Sequence, residues 1–282
     1  MKTRVPAFFA AGALTLSLAA CGGDEPAEPE ETTDAAAEEG EGGGVLSLLA
    51  DLASTTEEVD NYTMDIAVTT TDPEFGDSEV TMTYEVMDDP EAVQVTMVMP
   101  DLGEMFLGLA ELSGESSDLT AEELGTSIFI IPAEGEPLVS NHNGNLDVPT
   151  EWARGASGME GAPSPENTFD ASDLSDIAGV VAGIETFEEA GSEEINGVGT
   201  TRVDGSLTGE EIDALPEEQR SALNKLTGGS LEGAMNISLW IADDGFPMRM
   251  DFADDVSDVS IVFSALGETS FEMPSEDQIT DQ

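Results

Sequence analysis

Met235-Asn236-Ile237-Ser238-Leu239-Trp240-Ile241-Ala242-Asp243-Asp244-Gly245-Phe246-Pro247-Met248-Arg249-Met250-Asp251-Phe252 is the stretch whose reading decides the fold. Met235, Ile237, Leu239 and Ile241 alternate along it, Asp243-Asp244-Gly245 is a turn, and Met248, Met250 and Phe252 alternate again. Period-two alternation on both sides of a short Asp/Gly turn is the pattern of antiparallel strands with one buried face. Val259, Ile261 and Phe263 form a further run before Met273-Pro274, so the C-terminal part reads as a meander.

The same period recurs upstream. Tyr62, Met64, Ile66 and Val68 alternate, as do Val80, Met82, Tyr84 and Val86, and then Val93, Val95, Met97 and Met99, with Asp72-Pro73 and Asp88-Asp89-Pro90 as turns between them. Residues 127–132 are a continuous apolar run followed by a Glu134-Gly135-Glu136-Pro137 turn and Leu138-Val139, which predicts a hairpin. Asn196-Gly197 is the strongest two-residue hairpin signal in the chain. It joins a strand ending at Ile195 to one over residues 198–205.

Helical spacing appears between the strand groups. Val45, Leu48, Leu49 and Leu52 predict an amphipathic helix at the start of the folded part, and Met105, Phe106, Leu109 and Leu112 predict a short helix inside residues 100–125, an insertion over one end of the sheet. Leu174, Ile177, Val181 and Ile184 share one helical face, with Ser172 or Asp170 available as a cap. Thr208 with Glu211 forms a capping-box pattern, and Pro216 suits the first turn of a helix carrying Leu223 and Leu226. Antiparallel strand groups with helices between them imply an α+β fold, its helices gathered on one face of a large curved sheet.

The chain begins Met1-Lys2-Thr3-Arg4, continues through an apolar stretch over residues 5–18, and reaches Leu18-Ala19-Ala20-Cys21, where Cys21 is its one cysteine. Basic residues, a short apolar core and small residues before a cysteine describe a lipoprotein export signal, too short for a membrane span. Residues 1–20 are expected to be removed and Cys21 to carry a diacylglycerol and palmitate anchor. An ordinary signal peptide followed by a stray thiol explains the clustering less well. Residues 22–44 hold nine acidic side chains and no large apolar one, so they read as a disordered acidic Gly/Ala/Glu tether. Residues 45–282 are expected to form a single domain whose stability comes from burial, since no cysteine remains to pair.

Charge narrows the partners. The chain has 61 Asp plus Glu against 7 Lys plus Arg, a formal net charge of −54, and Lys2 and Lys225 are its only lysines. Phosphate backbones need a basic surface, which excludes nucleic acid, and no polybasic patch draws the domain to an anionic membrane. Contact with a membrane is therefore expected through the lipid anchor only. Charges interact over roughly 10 Å at about 0.1 M salt and roughly 3 Å at about 1 M, so self-repulsion of this size points to a salt-adapted protein.

No catalytic constellation assembles from the sequence. The single histidine, His142, lies in a loop between Asn141 and Asn143, no Cys or His set is available for zinc, and Ser-x-x-Lys is absent around Lys225. Acidic pairs are too numerous for any one to stand out as a glycosidase site. Asp251, Asp254, Asp255 and Asp258 cluster with Asp243 and Asp244 nearby, but no twelve-residue calcium loop is present. No enzyme activity, cofactor or dedicated metal site is expected.

The Leu18-Ala19-Ala20-Cys21 lipobox, Asn167-Thr168-Phe169-Asp170-Ala171-Ser172 before a helix, the Ile195-Asn196-Gly197-Val198 hairpin and the strand and turn from Leu239 to Pro247 occur in an order that resembles the LppX/LprAFG family of actinobacterial envelope lipoproteins, distant relatives of the LolA and LolB carriers. The likeness covers most of residues 45–275; residues 100–125 and the acidic composition depart from it. The resemblance implies a LolA-like half-barrel whose concave face is covered by helices, and binding of lipids or lipoglycans, with possible transfer, by a protein held on the outer face of the cytoplasmic membrane. Candidate cavity-lining residues are then Met64, Ile66, Met82, Tyr84, Val95 and Met97 from the first strands, Leu174, Ile177 and Val181 from a helix, and Ile237, Leu239, Met248, Met250 and Phe252 from the last strands. Any single methionine is better explained as core filler, while the set of Met64, Met82, Met97, Met235, Met248 and Met250 favours a wall that repacks around irregular chains. A monomer binding a lipid or glycolipid is the leading expectation. A surface scaffold or sensor ectodomain is the rival, in which an exposed Trp152 or Trp240 would mark a partner surface, although each is expected to pack against the sheet.

Overall fold

A computed structural model describes residues 55, 59–72, 76–114, 117–155, 173–182, 187–227 and 233–281. The lipobox, the acidic tether, most of the helix expected from Val45 and the Asn167–Ser172 motif lie outside the described residues. β1 (Tyr62–Asp72), β2 (Gly76–Asp88) and β3 (Glu91–Val98) are followed by α1 (Pro100–Ser113) and α2 (Ala121–Leu124), then by β4 (Thr126–Pro132), β5 (Leu138–Ser140) and β6 (Trp152–Arg154). After α3 (Asp173–Ala182) come β7 (Glu188–Ile195), β8 (Val198–Leu207), α4 (Gly209–Ala214) and α5 (Glu217–Thr227), and then β9 (Met235–Ala242), β10 (Pro247–Ala253), β11 (Ser257–Ser264) and β12 (Ile279–Asp281).

All twelve strands form one sheet in the order β12-β6-β5-β4-β3-β2-β1-β11-β10-β9-β8-β7. Two sequential meanders meet where β1 pairs antiparallel with β11, and among the described residues the one parallel ladder joins β12 to β6. The class is α+β, as the alternation implies.

Register puts the apolar positions on a common face. Met64 lies opposite Tyr84 and Phe263, Ile66 opposite Met82 and Ile261, and Leu239 opposite Met250 and Val203. These residues belong to one core that also takes Ile177, Ala178, Val180 and Val181 from α3 and Ala222 and Leu223 from α5. α3 and α5 pack against each other, and Lys225 reaches from α5 to donate to Asp173 of α3 at 3.0 Å. Phe263 receives edge-on contacts from Tyr62 and Phe246, with ring centroids 5.8 and 5.3 Å away.

The opposite face is polar, and its side chains pair across the strands. Thr83 donates to Asp65, Gln94 to Glu85 and Ser260 to Asp251, each pair lying directly opposite in register. Cross-strand polar pairs of this kind keep a solvated face ordered.

Several local expectations meet the structure differently. Residues 100–125 hold two helices rather than one short helix, because Thr120 and Glu123 form a capping box that starts α2. β6 and β12 have no alternation to betray them, being three residues each. Asn196 and Gly197 take φ of 50° and 83°, the left-handed pair that a tight hairpin needs, and Thr208 caps α4 through the expected box with Glu211. Pro216 sits just before α5, its carbonyl accepting from the Arg220 amide.

Candidate functional site: the inner face of the sheet

The candidate lining residues divide into a floor and a mouth. Met64, Val95, Leu239 and Met250 are 0% exposed, leaving no room for a water molecule against them, and Ile66, Tyr84, Ile177, Val181, Ile237, Met248 and Phe252 are buried with them. Met82 and Met97 are only partly buried. The Leu174 side chain lies outside the described residues. Val80, Val86 and Val93 share the inner face with Met82 and Met97 and are likewise half-exposed. On β2 and β3 the inner face is therefore closed at the Tyr84–Val95 pair and only partly covered on either side of it, at Met82–Met97 and Val86–Val93, while the part made by β9, β10 and β11 is closed throughout.

Two polar or aromatic details shape this interior. Tyr84 turns inward beside Val95, and its hydroxyl donates to Met82 Sδ at 3.9 Å. Burial pushes the phenol up from its ordinary pKa, so it stays a neutral donor. Phe187 lies over Gly205, where an added Cβ would sit 2.7 Å from its ring; the glycine gives the ring its seat on the sheet. Alternation identifies the face of Val80, Val86 and Val93 but carries no information on depth. Depth is set by where α3 and α5 lie.

The polar face holds a different arrangement. Trp240 is 4% exposed although its register places it away from the floor residues, because Arg202 and Arg249, its cross-strand neighbours, stack on its ring with guanidinium carbons 4.9 and 4.7 Å from the centroid. Its indole N–H donates to Glu193 at 2.7 Å. Arg202 pairs with Asp204 and Arg249 with Asp251, both at 2.8 Å, and the Asp251 bond raises the Arg249 pKa. Trp240 is a buried packing residue in this arrangement rather than an exposed partner contact; Trp152 is half-exposed on β6. An open groove of about 390 Å³ beside this stack is lined by Ser192, Glu193, Glu194, Gly199, Thr200, Thr201 and Asp243. It offers no apolar side chain to an acyl chain.

The residues weighed for chemistry serve local structure. His142 is exposed, with Nδ1 3.2 Å from the Ser140 hydroxyl two residues away, and partial burial lowers its pKa. Asp254 accepts the Val256 and Ser257 amides, Asp244 accepts the Phe246 amide, and Asp251 holds Arg249 and Ser260. Among the described residues no three His, Cys, Asp or Glu side chains converge as a metal site, and no helix is long and apolar enough to cross a membrane.

No family model and no curated protein matches the chain. Among solved structures, LprF from Mycobacterium bovis is similar at 15% identity and a TM-score of 0.45, over 83% of this chain and 97% of that one. The lipoprotein LppX from Mycobacterium tuberculosis is similar at 13% identity and a TM-score of 0.44, over 81% and 98%. A putative outer membrane lipoprotein-sorting protein domain from Vibrio parahaemolyticus follows at 9% identity and a TM-score of 0.24, over 82% and 94%. At these identities and scores the similarity assigns neither ligand nor activity.

Proposed function

We propose that this protein is a non-catalytic envelope lipoprotein, anchored through Cys21 on the outer face of the cytoplasmic membrane, that holds the acyl chains of a lipid or glycolipid against the inner face of its sheet. One observation carries the reading: Val80, Met82 and Met97 at one end of β2 and β3, and Val86 and Val93 towards the other, are apolar inner-face positions left only partly buried beside a closed apolar floor. Methionines there suit irregular chains, since an unbranched thioether repacks at little cost. Ten buried methylenes contribute roughly 8 kcal/mol at about 0.8 kcal/mol each, which holds a lipid near micromolar affinity before association costs are counted. The acidic tether over residues 22–44 would let a monomeric cup move above its anchor, and the net charge of −54 accords with a salt-rich setting.

Native mass spectrometry of the chain purified from its own envelope tests the reading. A co-purifying lipid is expected, together with its loss in Met82→Glu/Met97→Glu, a cross-strand pair exposed enough for the fold to survive by circular dichroism. A lipid-free wild-type chain would reject it. Mass spectrometry of the mature amino terminus checks the anchor separately. The fully packed floor favours a second reading, a scaffold or sensor ectodomain with no lipid ligand, and a wild-type chain that never carries lipid is its expected outcome.

A further inference from the structure

α1 presents apolar side chains to solvent in a way no other described element does. Of the six large hydrophobic side chains exposed among the described residues, four lie on it: Met105 at 52%, Phe106 at 37%, Leu109 at 56% and Leu112 at 87%. Met105, Leu109 and Leu112 are spaced four and three residues apart, so they stack along one side of the helix. The other side is already engaged. Gly103 is buried so closely that an added Cβ would collide with the Ala121 carbonyl of α2, and α1 also packs on β2. The stripe is therefore surplus to the fold.

Shape and charge restrict what covers it. A 14-residue helix is about 21 Å long, and one stripe on it covers on the order of 200–300 Å². That is well short of the roughly 800 Å² per partner in a stable protein interface. A deep groove on another protein would have to wrap the helix, but its Gly103 side is already taken by α2, and it also packs on β2. A broad flat apolar phase meets the stripe without wrapping it. The charges beside the stripe are Asp101, Glu104 and Glu111, and α1 has no basic residue. Both a second copy of this chain and an anionic surface are repelled by such a flank, whereas a neutral headgroup layer is not.

We propose that α1 is a docking helix that seats Met105, Phe106, Leu109 and Leu112 in the interface of an electrically neutral lipid bilayer. The placement of the helix gives docking a purpose. α1 begins two residues after the end of β3, and Met97 pairs with Met82 at that same end of the sheet. Seating α1 brings the partly exposed Met82–Met97 end of the inner face towards the membrane, so an acyl chain passes between bilayer and cup without crossing water. This use rests on the lipid-holding reading; the docking itself does not. The charge pattern gives docking an inverted salt dependence. A polybasic protein leaves an anionic membrane as salt rises, whereas this helix reaches one only when salt screens its flank.

The test uses the full chain with its amino-terminal anchor, reconstituted in phosphatidylcholine vesicles that contain nitroxide-labelled lipid. Fluorophores are attached at Leu112→Cys and, as a control in the turn at the other end of β4, at Glu134→Cys. The label at 112 is expected to be quenched several-fold more than the label at 134. In phosphatidylglycerol vesicles the difference is expected to vanish in dilute buffer and return in molar salt. Equal quenching at both positions overturns the proposal, as does stronger quenching on anionic vesicles in dilute buffer. Shielding of the label that grows with protein concentration without vesicles assigns the stripe to a second copy and overturns it too, and so does shielding that requires another protein. A Leu109→Ser/Leu112→Ser variant separates the two readings. It is expected to keep co-purified lipid but to lose quenching of a label at Met105→Cys and to slow lipid transfer between vesicles. A quenched label on a chain that never carries lipid upholds docking while rejecting the lipid-holding reading.

Discussion

Two guanidinium groups close over Trp240 on the polar side of the sheet, and that arrangement shows how this chain spends its few cations. After residue 20 the chain has five, and each has a partner: Arg154 with Glu276 and Asp281, Arg202 with Asp204, Lys225 with Asp173, Arg249 with Asp251, and Arg220 with the Asp213 carbonyl. Arg202 and Arg249 do more than neutralise, since a cation over a desolvated indole contributes about 2 kcal/mol. Trp240→Ala is expected to cost about 3–5 kcal/mol in urea unfolding, because it opens a cavity and leaves both stacked cations uncovered. A loss under 1 kcal/mol would mean that the stack is incidental. The sequence shows Trp240 on a strand but not its covering, which depends on cross-strand neighbours 38 and 9 residues away. His142, as the one histidine, allows a clean titration by nuclear magnetic resonance. Its folded pKa should lie below the ordinary value of about 6.5, because burial favours the neutral ring. The sign follows: this contribution to stability is present above about pH 6.5 and is lost as pH falls through the lowered folded value.

Among the elements, α1 and α2 show most sharply what one-dimensional patterns hold and omit. Spacing of Met105, Phe106, Leu109 and Leu112 identifies the helix, yet an apolar stripe ordinarily marks the buried face, and here the buried contact runs through Gly103 instead. Paired substitutions read this inversion. Gly103→Ala drives a Cβ to 1.7 Å from a backbone oxygen and is expected to separate α1 from α2, with a loss of several kcal/mol. Gly108→Ala meets nothing within 4 Å and is expected to stabilise by up to about 1 kcal/mol through helix propensity. Thermal melts of the two variants moving in the same direction would contradict the packing described. The capping boxes at Thr208 and Thr120 have the same signature, but α2 is a single four-residue turn between a loop and a strand, too brief for any periodicity to support its cap. β6 and β12 escape for a related reason. Three residues of parallel pairing, closed by Arg154 on Asp281 and by Thr150 on Thr280, are specified by partners more than a hundred positions apart.

At the scale of the whole molecule, alternation made the large antiparallel sheet and its apolar face legible, while the division of that face into floor and mouth was not, because helix placement decides it. The net charge of −54 acts at this scale too. The thermal midpoint is expected to rise between dilute buffer and molar salt, as the screening length falls from about 10 Å to about 3 Å. A midpoint that stays level would show that the carboxylates are already far enough apart to ignore one another. The pairing of β1 with β11 bears on how the chain is made. Strands β1 to β6 and β7 to β11 are each assembled from neighbours in sequence, but the ladder that unites them joins Met64 to Phe263. A chain emerging from its amino terminus during synthesis would present β1 as a bare edge, with Met64 and Ile66 uncovered, until nearly two hundred further residues had followed. Crowded nascent copies would have that edge available to each other, so the yield of folded protein should depend on holding such half-sheets apart until the seam closes.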